Sequence, residues 1–347
     1  MKKMFVFVTV LMMSIFVISV IGSGTSMAQK KPVVLRLVTP APEGDWPLTF
    51  KDKEMAKRFN ERAKGEYVME VHAGGALAKL PEYFDAVRIG AIEMADAPWP
   101  MYSFLDPRLG IIETPFLLNN LEGGIAATKP FFPLYDQILQ EKFNAKGLGL
   151  IHLDGLELVS TKPVKTLEDW KGLMCGAISP PMAALIKELG GSSVTVMWTD
   201  MYESLQKKVI DAGTQATHGA LMMNLMDVCK HTTLFFGVAS WNGFSINLDV
   251  WKKMPNHIQK ILQEEVDWTV NWMHKTYDTL GDEDIKAFKQ KGVTIYVLPK
   301  AERSRWEKMV TPYKEKQLGS FGEFGQKVKQ IADDVNNHYP YKERIIK

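Results

Sequence analysis

Residues 33–97 read VVLRLVTPAPEGDWPLTFKDKEMAKRFNERAKGEYVMEVHAGGALAKLPEYFDAVRIGAIEMADA, and the change of period along them decides the fold class. VVLRLVTP (33–40) alternates as a strand does and stops at the turn-rich APEGDWP. Phe50, Met55, Ala56 and Phe59 then fall at helical spacing among Lys, Glu and Arg, and Gly65 closes that helix. YVMEV (67–71) is a second strand, HAGGALAKLP a loop, EYFDAVRIG a helix ending at Gly90, and AIEMADAPW a third strand. Strand, helix, strand, helix, strand at this spacing predicts parallel pairing with right-handed crossovers, hence an α/β lobe.

The same order returns downstream. GLGLIHLDG (147–155) and LMCGAIS (173–179) read as strands, PPMAALIKELGG as a short helix, and SVTVMW (193–198) alternates again. TDMYESLQKKVIDAG follows as a helix, with Thr199 or Asp200 placed to cap it and Met201, Leu205 and Val209 on one face. From Pro255 an amphipathic pattern runs through Ile258, Leu262, Val266, Met273, Tyr277 and Leu280 towards Phe288. Some 30 residues at 1.5 Å each span about 45 Å, enough to brace two lobes. Its apolar face is too broad and irregular for a coiled-coil seam.

The N-terminus carries Lys2 and Lys3, an apolar run from Met4 to Ile21, and a small-x-small site at Ser26-Met27-Ala28. Residues 1–28 are therefore read as a secretory signal peptide cut near Ala28, with an uncleaved anchor as the alternative. The remaining 319 of 347 residues suit two lobes of ordinary size. Of 42 basic residues two fall in the signal, leaving 40 against 40 acidic. A balanced surface without a basic run gives a phosphate backbone nothing to hold, so nucleic acid is not an expected partner. Cys175 and Cys229 would meet an oxidising compartment and either form one disulfide, worth about 4 kcal/mol for a loop of that length, or stay as two buried thiols.

No catalytic constellation can be assembled. The seven histidines (72, 152, 218, 231, 257, 274 and 338) are scattered, without HExxH or close carboxylate pairing, so no metal, cofactor or catalytic residue is expected. HAGGAL lacks both the Lys-Ser/Thr ending of a phosphate loop and the three-glycine dinucleotide spacing, and reads as a turn. Trp46, Trp99, Trp198 and Trp241 stand near strand ends or in the loops after them. Ligands of open α/β sheets settle beyond the carboxyl ends of strands, so these rings are candidates for the walls of a small-molecule pocket.

IDAG (210–213) after DMYESLQKKV, preceded by KPVKTLEDWKGL (162–173) and ETPFLL (113–118), resembles the solute-binding proteins of tripartite ATP-independent periplasmic (TRAP) transporters, the dicarboxylate-binding DctP-like family. HAGGAL with EYFDAVRIGAIEMADA is similar to the family's first-lobe signature, and INLDVWKKMP (246–255) to its strand before the long helix. The resemblance spans the chain after the signal. It implies a bilobal periplasmic solute-binding protein fold, two α/β lobes joined by hinge strands and bridged by a long helix. Residues 29–155 would form lobe I, with 235–275 returning to it. Residues 156–234 would form lobe II, with 276–347 packing on or across it.

What the resemblance implies about function is a periplasmic, monomeric receptor, not an enzyme. It closes over a small organic solute, of the organic-acid class by family, and delivers it to the membrane permease subunits of an ion-gradient-driven TRAP transporter. Alignment on Lys171-Gly172-Leu173 puts Gly176 where the family carries its carboxylate-binding arginine, so the usual charge-assisted clamp is expected to be missing and the pocket enlarged there. The family's acid and asparagine after the DG pair fall on Thr214 and Gln215, while Asp200 and Tyr202 keep the acid and aromatic of the helix start. Three solutes stay open: an acid held by Arg36, Arg88 or Arg108, a neutral or aromatic compound held by tryptophan, and an amine held by Asp45, Asp154 or Glu157.

Trp46, Trp99, Glu157, Gly176 and Ser179 are expected in the cleft. Trp198, Gln215, His218, Trp241 and Asn242 are expected with them. Backbone N–H groups near Ser179 could receive an anionic end, although Pro180 and Pro181 remove two donors. The competing readings are a receptor for an ATP-driven importer or for a sensor kinase, and a secreted α/β enzyme.

Overall fold

A computed structural model describes residues 31–44 and 46–346 of the chain. The signal-peptide segment and Asp45 lie outside the described residues. Its strands are β1 (Val33–Val38), β2 (Tyr67–His72), β3 (Met94–Ala97), β4 (Ala145–Ser160), β5 (Met174–Ala177), β6 (Ser192–Thr195), β7 (Ala212–Gln215), β8 (His231–Asn247) and β9 (Thr294–Val297). They form one mixed sheet in the order β2-β1-β3-β8-β4-β7-β5-β6, with β9 added beside β8. The parallel β2-β1-β3 set is the one that residues 33–97 predict.

The two longest strands carry the architecture. β4 and β8 pair antiparallel from Ala145↔Asn247 to Ser160↔His231. One end of this ladder receives β3, through Met94↔Ile246 to Ala97↔Gly243. The other end receives β7 on β4 and β9 on β8, and β5 and β6 extend the sheet beyond β7. Between the ends the register slips at His152/Gly155 and again at Leu156/Leu158, and Phe236 takes a positive φ of 49°. Bulges twist and bend a strand pair. The middle of the ladder is therefore its pliable part.

The long helix Asn256–Gln290 runs 35 residues, about 52 Å at 1.5 Å per residue. Ile258, Leu262, Val266 and Met273 pack with Leu35, Leu37, Phe59 and Phe244 at one end. Phe288 joins Val159, Met201, Leu205 and Ile210 at the other. One rigid element thus belongs to the cores on both sides of the bulged ladder. Further on, Trp306 and Val310 pack with the β5 side, whereas Leu318, Val328 and Ala332 cross back to Phe131, Tyr135 and Ile138 of the helix Leu121–Phe143. Among the described residues no helix is long and apolar enough to cross a membrane.

Some expectations need correction. INLDVWKKMP is not a strand: β8 ends at Asn247, whose side chain accepts the N–H bonds of Asp249 and Val250 to start the helix Leu248–Lys253. The helix after Trp198 ends at Gln206, short of IDAG, and neither Thr199 nor Asp200 caps it: Asp200 is the N-cap residue without a side-chain cap bond, and Thr199 Oγ1 donates instead to Asp200 Oδ1 at 3.4 Å.

The cysteines take the second of their two readings. Both are free and buried, Cys175 against Leu185 and Ile186, Cys229 among Leu225 and Met226 in a different cluster. Burial pushes both thiols up to about 12, and the thiolate is the reactive form. The expected result with a disulfide-exchange reagent at pH 8 is two thiols that react fully only in denaturant. Prompt modification of the native protein would contradict this packing.

Candidate functional site

The carboxyl ends of β1, β3, β5 and β7 converge on one cavity of about 90 Å³. Thr39, Pro40 and Ala41 follow β1, while Asp96 and Pro98 lie at the end of β3. Ile178 follows β5, Gln215 ends β7, and Trp198 heads the short helical segment after β6. Ser240 and Asn242 enter from β8, Leu153 from β4 and Tyr277 from the long helix. Leu48, Leu80, Leu153, Ile178 and Met222 are among its apolar lining residues.

Behind the Asp96 wall lies a buried ion cluster. Lys51 Nζ, fully buried, donates to Asp96 Oδ2 at 2.5 Å and to Asp52 Oδ1 at 2.7 Å, and lies 4.7 Å from the centre of the Phe244 ring. Thr39 Oγ1 donates to Asp96 Oδ2 at 3.4 Å and Asn242 Nδ2 to Asp96 Oδ1 at 3.1 Å. Burial pushes the Asp52 carboxyl up to about 7 against the pull of Lys51, and its Oδ2 has no hydrogen-bond partner.

Of the ten residues named from the sequence, the structure brings Trp198, Gln215 and Asn242 to the cavity wall. His218 and Trp46 stand beside it: their rings meet edge to face at 5.6 Å, His218 lies 6.4 Å from Tyr277, and its Nδ1 is 3.0 Å from Asp284 Oδ1. The remaining five lie elsewhere. Trp99 is fully buried, with its ring packed on Gly243, where an added Cβ would come within 2.2 Å of it. Trp241 is also in the core, against Phe131 and His152, its Nε1–H donating to the carbonyl of Ile112 at 3.3 Å.

Ser179 turns away from the cavity. Its hydroxyl caps its own helix through Met182 N–H and donates to Glu113 Oε2 at 2.7 Å, so it offers no anion site. Glu157 lies in the bulged ladder, accepting the N–H bonds of Phe235 and Phe236 at 2.5 and 3.0 Å. Burial and the neighbouring Asp154 raise it to about 7. It borders a second cleft of about 610 Å³ with Asp154 and Arg344, lined also by the tail residues Tyr339, Pro340 and Tyr341. Although larger, that cleft lies at the middle of the ladder and away from the strand ends, so it is the weaker candidate. Asp154 and Glu157 therefore do not face a solute in the 90 Å³ cavity.

Gly176 does not enlarge the cavity. It pairs with Gly213 across β5 and β7, and both face the thioether of Met201. A Cβ at 176 would stand 3.0 Å from Met201 Sδ and 3.0 Å from Ile210 Cδ1; at 213 it would stand 2.6 Å from Met201 Sδ. Two residues further along the same strand faces, Ile178 and Gln215 do reach the cavity. Met201 thus fills the level beneath it. The arginines considered as substitutes are engaged elsewhere: Arg36 with Glu93 at 2.7 Å, Arg88 with Asp85 at 3.0 Å and Arg108 with Asp106 at 2.6 Å.

Reading the sequence missed Asp96, Lys51 and Tyr277. Lys51 stands four residues before Met55 and eight before Phe59, on the buried face of its helix, and a charge at that spacing is the signal that could have found it.

A cavity of mixed polar and apolar lining, at the carboxyl ends of strands from both ends of a bulged ladder, is the arrangement of a two-lobed solute-binding protein. Residues 41–319 match the family described as bacterial extracellular solute-binding protein, family 7 (DctP), and the chain belongs to that family. It is 23% identical over 309 residues to the C4-dicarboxylate-binding periplasmic protein DctP of Rhodobacter capsulatus, covering 85% of this chain and 89% of that one. It is 22% identical over 266 residues to the sialic acid-binding periplasmic protein SiaP of Vibrio cholerae, covering 76% and 82%. Among solved structures, DctP7 of Bordetella pertussis, a receptor binding pyroglutamic acid, superposes with a TM-score of 0.81 at 17% identity, covering 87% of this chain and 99% of that one. A TRAP periplasmic solute-binding protein of Desulfovibrio desulfuricans with bound sn-glycerol-3-phosphate gives 0.79 at 20% identity, covering 91% and 100%. The fold is the bilobal α/β fold of TRAP solute-binding proteins.

Proposed function

We propose that this chain is an extracytoplasmic receptor that encloses one small organic solute in the cavity between its lobes and delivers it, unchanged, to the membrane subunits of a TRAP transporter. Secretion to the periplasm with removal of residues 1–28 is part of this reading, as are a monomeric state and the lobe division at 29–155 with 235–275 and 156–234 with 276–347. The observation that carries it is the cavity wall itself: Asp96 and Asn242 come from one end of the ladder, Ile178, Gln215 and Trp198 from the other. A guest touching both stabilises the closed form over the open one, and that difference is what a permease can read. The ladder's bulged middle and the long helix supply the hinge and the brace.

The first test is native mass spectrometry of the purified protein, then unfolding to release any guest, refolding and rebinding. The expected result is a stoichiometric small molecule that returns unaltered, with a smaller radius of gyration in solution scattering when it is bound. Chemical conversion of the guest would favour the secreted-enzyme reading. Equal dimensions with and without it would remove the clamshell.

A further inference from the structure

The cavity holds hydrogen-bonding groups of both kinds, and the carboxylate in its lining, Asp96, is already paired with Lys51. No Lys, Arg or His side chain lines it among the described residues. The nearest cation on its Asp96 side, Lys51, is fixed between two carboxylates and fully buried. A carboxylate guest would therefore meet Asp96 with no cation turned towards it, in surroundings of low dielectric where like charges repel strongly. An ammonium guest is opposed differently. Asp96 Oδ2 is already bound to Lys51 at 2.5 Å, so a second cation would sit close to a fixed one.

A neutral guest has neither difficulty, and the remaining bonding capacity defines its polar group. Asp96 Oδ1 accepts from Asn242 Nδ2, and a carboxylate has about four acceptor sites, so this oxygen can take another N–H. Asn242 Nδ2 gives one of its two N–H groups to Asp96, so this amide offers Oδ1 as a second acceptor and keeps one further N–H. Across the cavity Gln215 Oε1 accepts the N–H of Ala216 at 3.1 Å, which leaves Nε2 as a donor without a partner. On the β3 and β8 side stand the acceptors Asp96 Oδ1 and Asn242 Oδ1 with one Asn242 N–H, on the β7 side the donor Gln215 Nε2, and Trp198, Leu80, Met222 and the hydroxyl-bearing Tyr277 complete the wall.

We propose that the solute is a small uncharged compound with an amide-type group, N–H beside C=O, its N–H bound by Asp96 and Asn242 Oδ1 and its carbonyl by Gln215 Nε2. This rests on the receptor reading above and narrows it to a ligand class. The preference comes from pairing: an acceptor or donor left unmatched in a closed site loses its bond to water and gains nothing.

The test is calorimetric titration with matched amide, carboxylate and ammonium triplets, from acetamide, acetate and ethylammonium to benzamide, benzoate and benzylammonium. The expected result is that the tightest binder is an amide, held at least tenfold more tightly than its acid and its amine. Gln215→Leu and Gln215→Glu should each remove that preference while leaving the melting temperature near that of the parent. If an acid or ammonium member binds tightest, or Gln215→Leu keeps the preference, the amide assignment falls and the receptor reading stands. If no triplet member binds, the amide assignment also falls. The receptor reading falls with it only if the purified protein carries no guest in native mass spectrometry.

Discussion

Lys51→Met is expected to destabilise the protein by about 3–5 kcal/mol at pH 7.5, the size seen when one partner of a buried ion pair is removed. The reason lies in the geometry around Asp52 and Asp96. Both carboxylates are buried and both bond to the same ammonium, so its removal leaves two negative charges without solvent or counter-ion. Methionine preserves most of the stem volume beside Phe244, so the loss is electrostatic rather than a cavity. The pH dependence gives the sign. A carboxyl raised above its unfolded value stabilises the fold most below that value, and the contribution is lost as pH rises through the folded one. The variant should therefore lag the parent most at pH 8 and least near pH 4.5, where protons replace the missing cation. Denaturant midpoints across that range measure it. A deficit that does not vary with pH would mean that Lys51 acts by packing alone.

Gly176→Arg is expected to destabilise by about 3 kcal/mol or more and to confer no affinity for organic acids. Overpacking a filled core costs about 1–3 kcal/mol, and a guanidinium forced among Met201 and Ile210 adds the cost of burying a charge. Met201→Ala in the same chain should recover part of the loss, because the thioether is what occupies the space. Urea unfolding of the two variants, with titration of acetate and succinate, tests both halves of the statement. A stable single variant that binds succinate would show that position 176 opens onto the solute after all.

The parts legible in the sequence are those whose period is undisturbed. The β1–β3 unit, the strand at 173–179 and the helix from Pro255 stand within a few residues of where the periodicity puts them. β8 escapes it, because HTTLFFGVASWNGFSIN is buried on both faces along most of its 17 residues, and a strand with two covered faces has no alternation to detect. For β4 the period shows the strand only to Gly155, where the bulge breaks it; the strand continues to Ser160. The helix Leu121–Phe143 contains Gly123, Gly124, Pro130 and Pro133, which locally argue against a helix.

The site divides in the same way. Trp198, Gln215 and Asn242 lie in or directly after strands, where the chain direction alone suggests a cleft. Trp99 shares that position, and whether such a ring faces solvent or core was decided by Gly243, 144 residues further along. Local spacing places Lys51 on the buried face of its helix, but its pairing with Asp96, 45 residues away, is encoded by no local pattern.

The sheet also constrains when this chain can fold. Met94 pairs with Ile246, 152 residues later, and β4 has no partner along its first half until residues 241–247 exist. Contacts of such sequence separation slow folding, since the intervening loop must be ordered before they form. A ribosome-bound chain that stops before residue 231 therefore has a β3 without its β8 partner and a β4 whose first half is unpaired, not a finished lobe. For the secretion proposed above that delay is an advantage, because the topology itself keeps the chain loose until β8 is present.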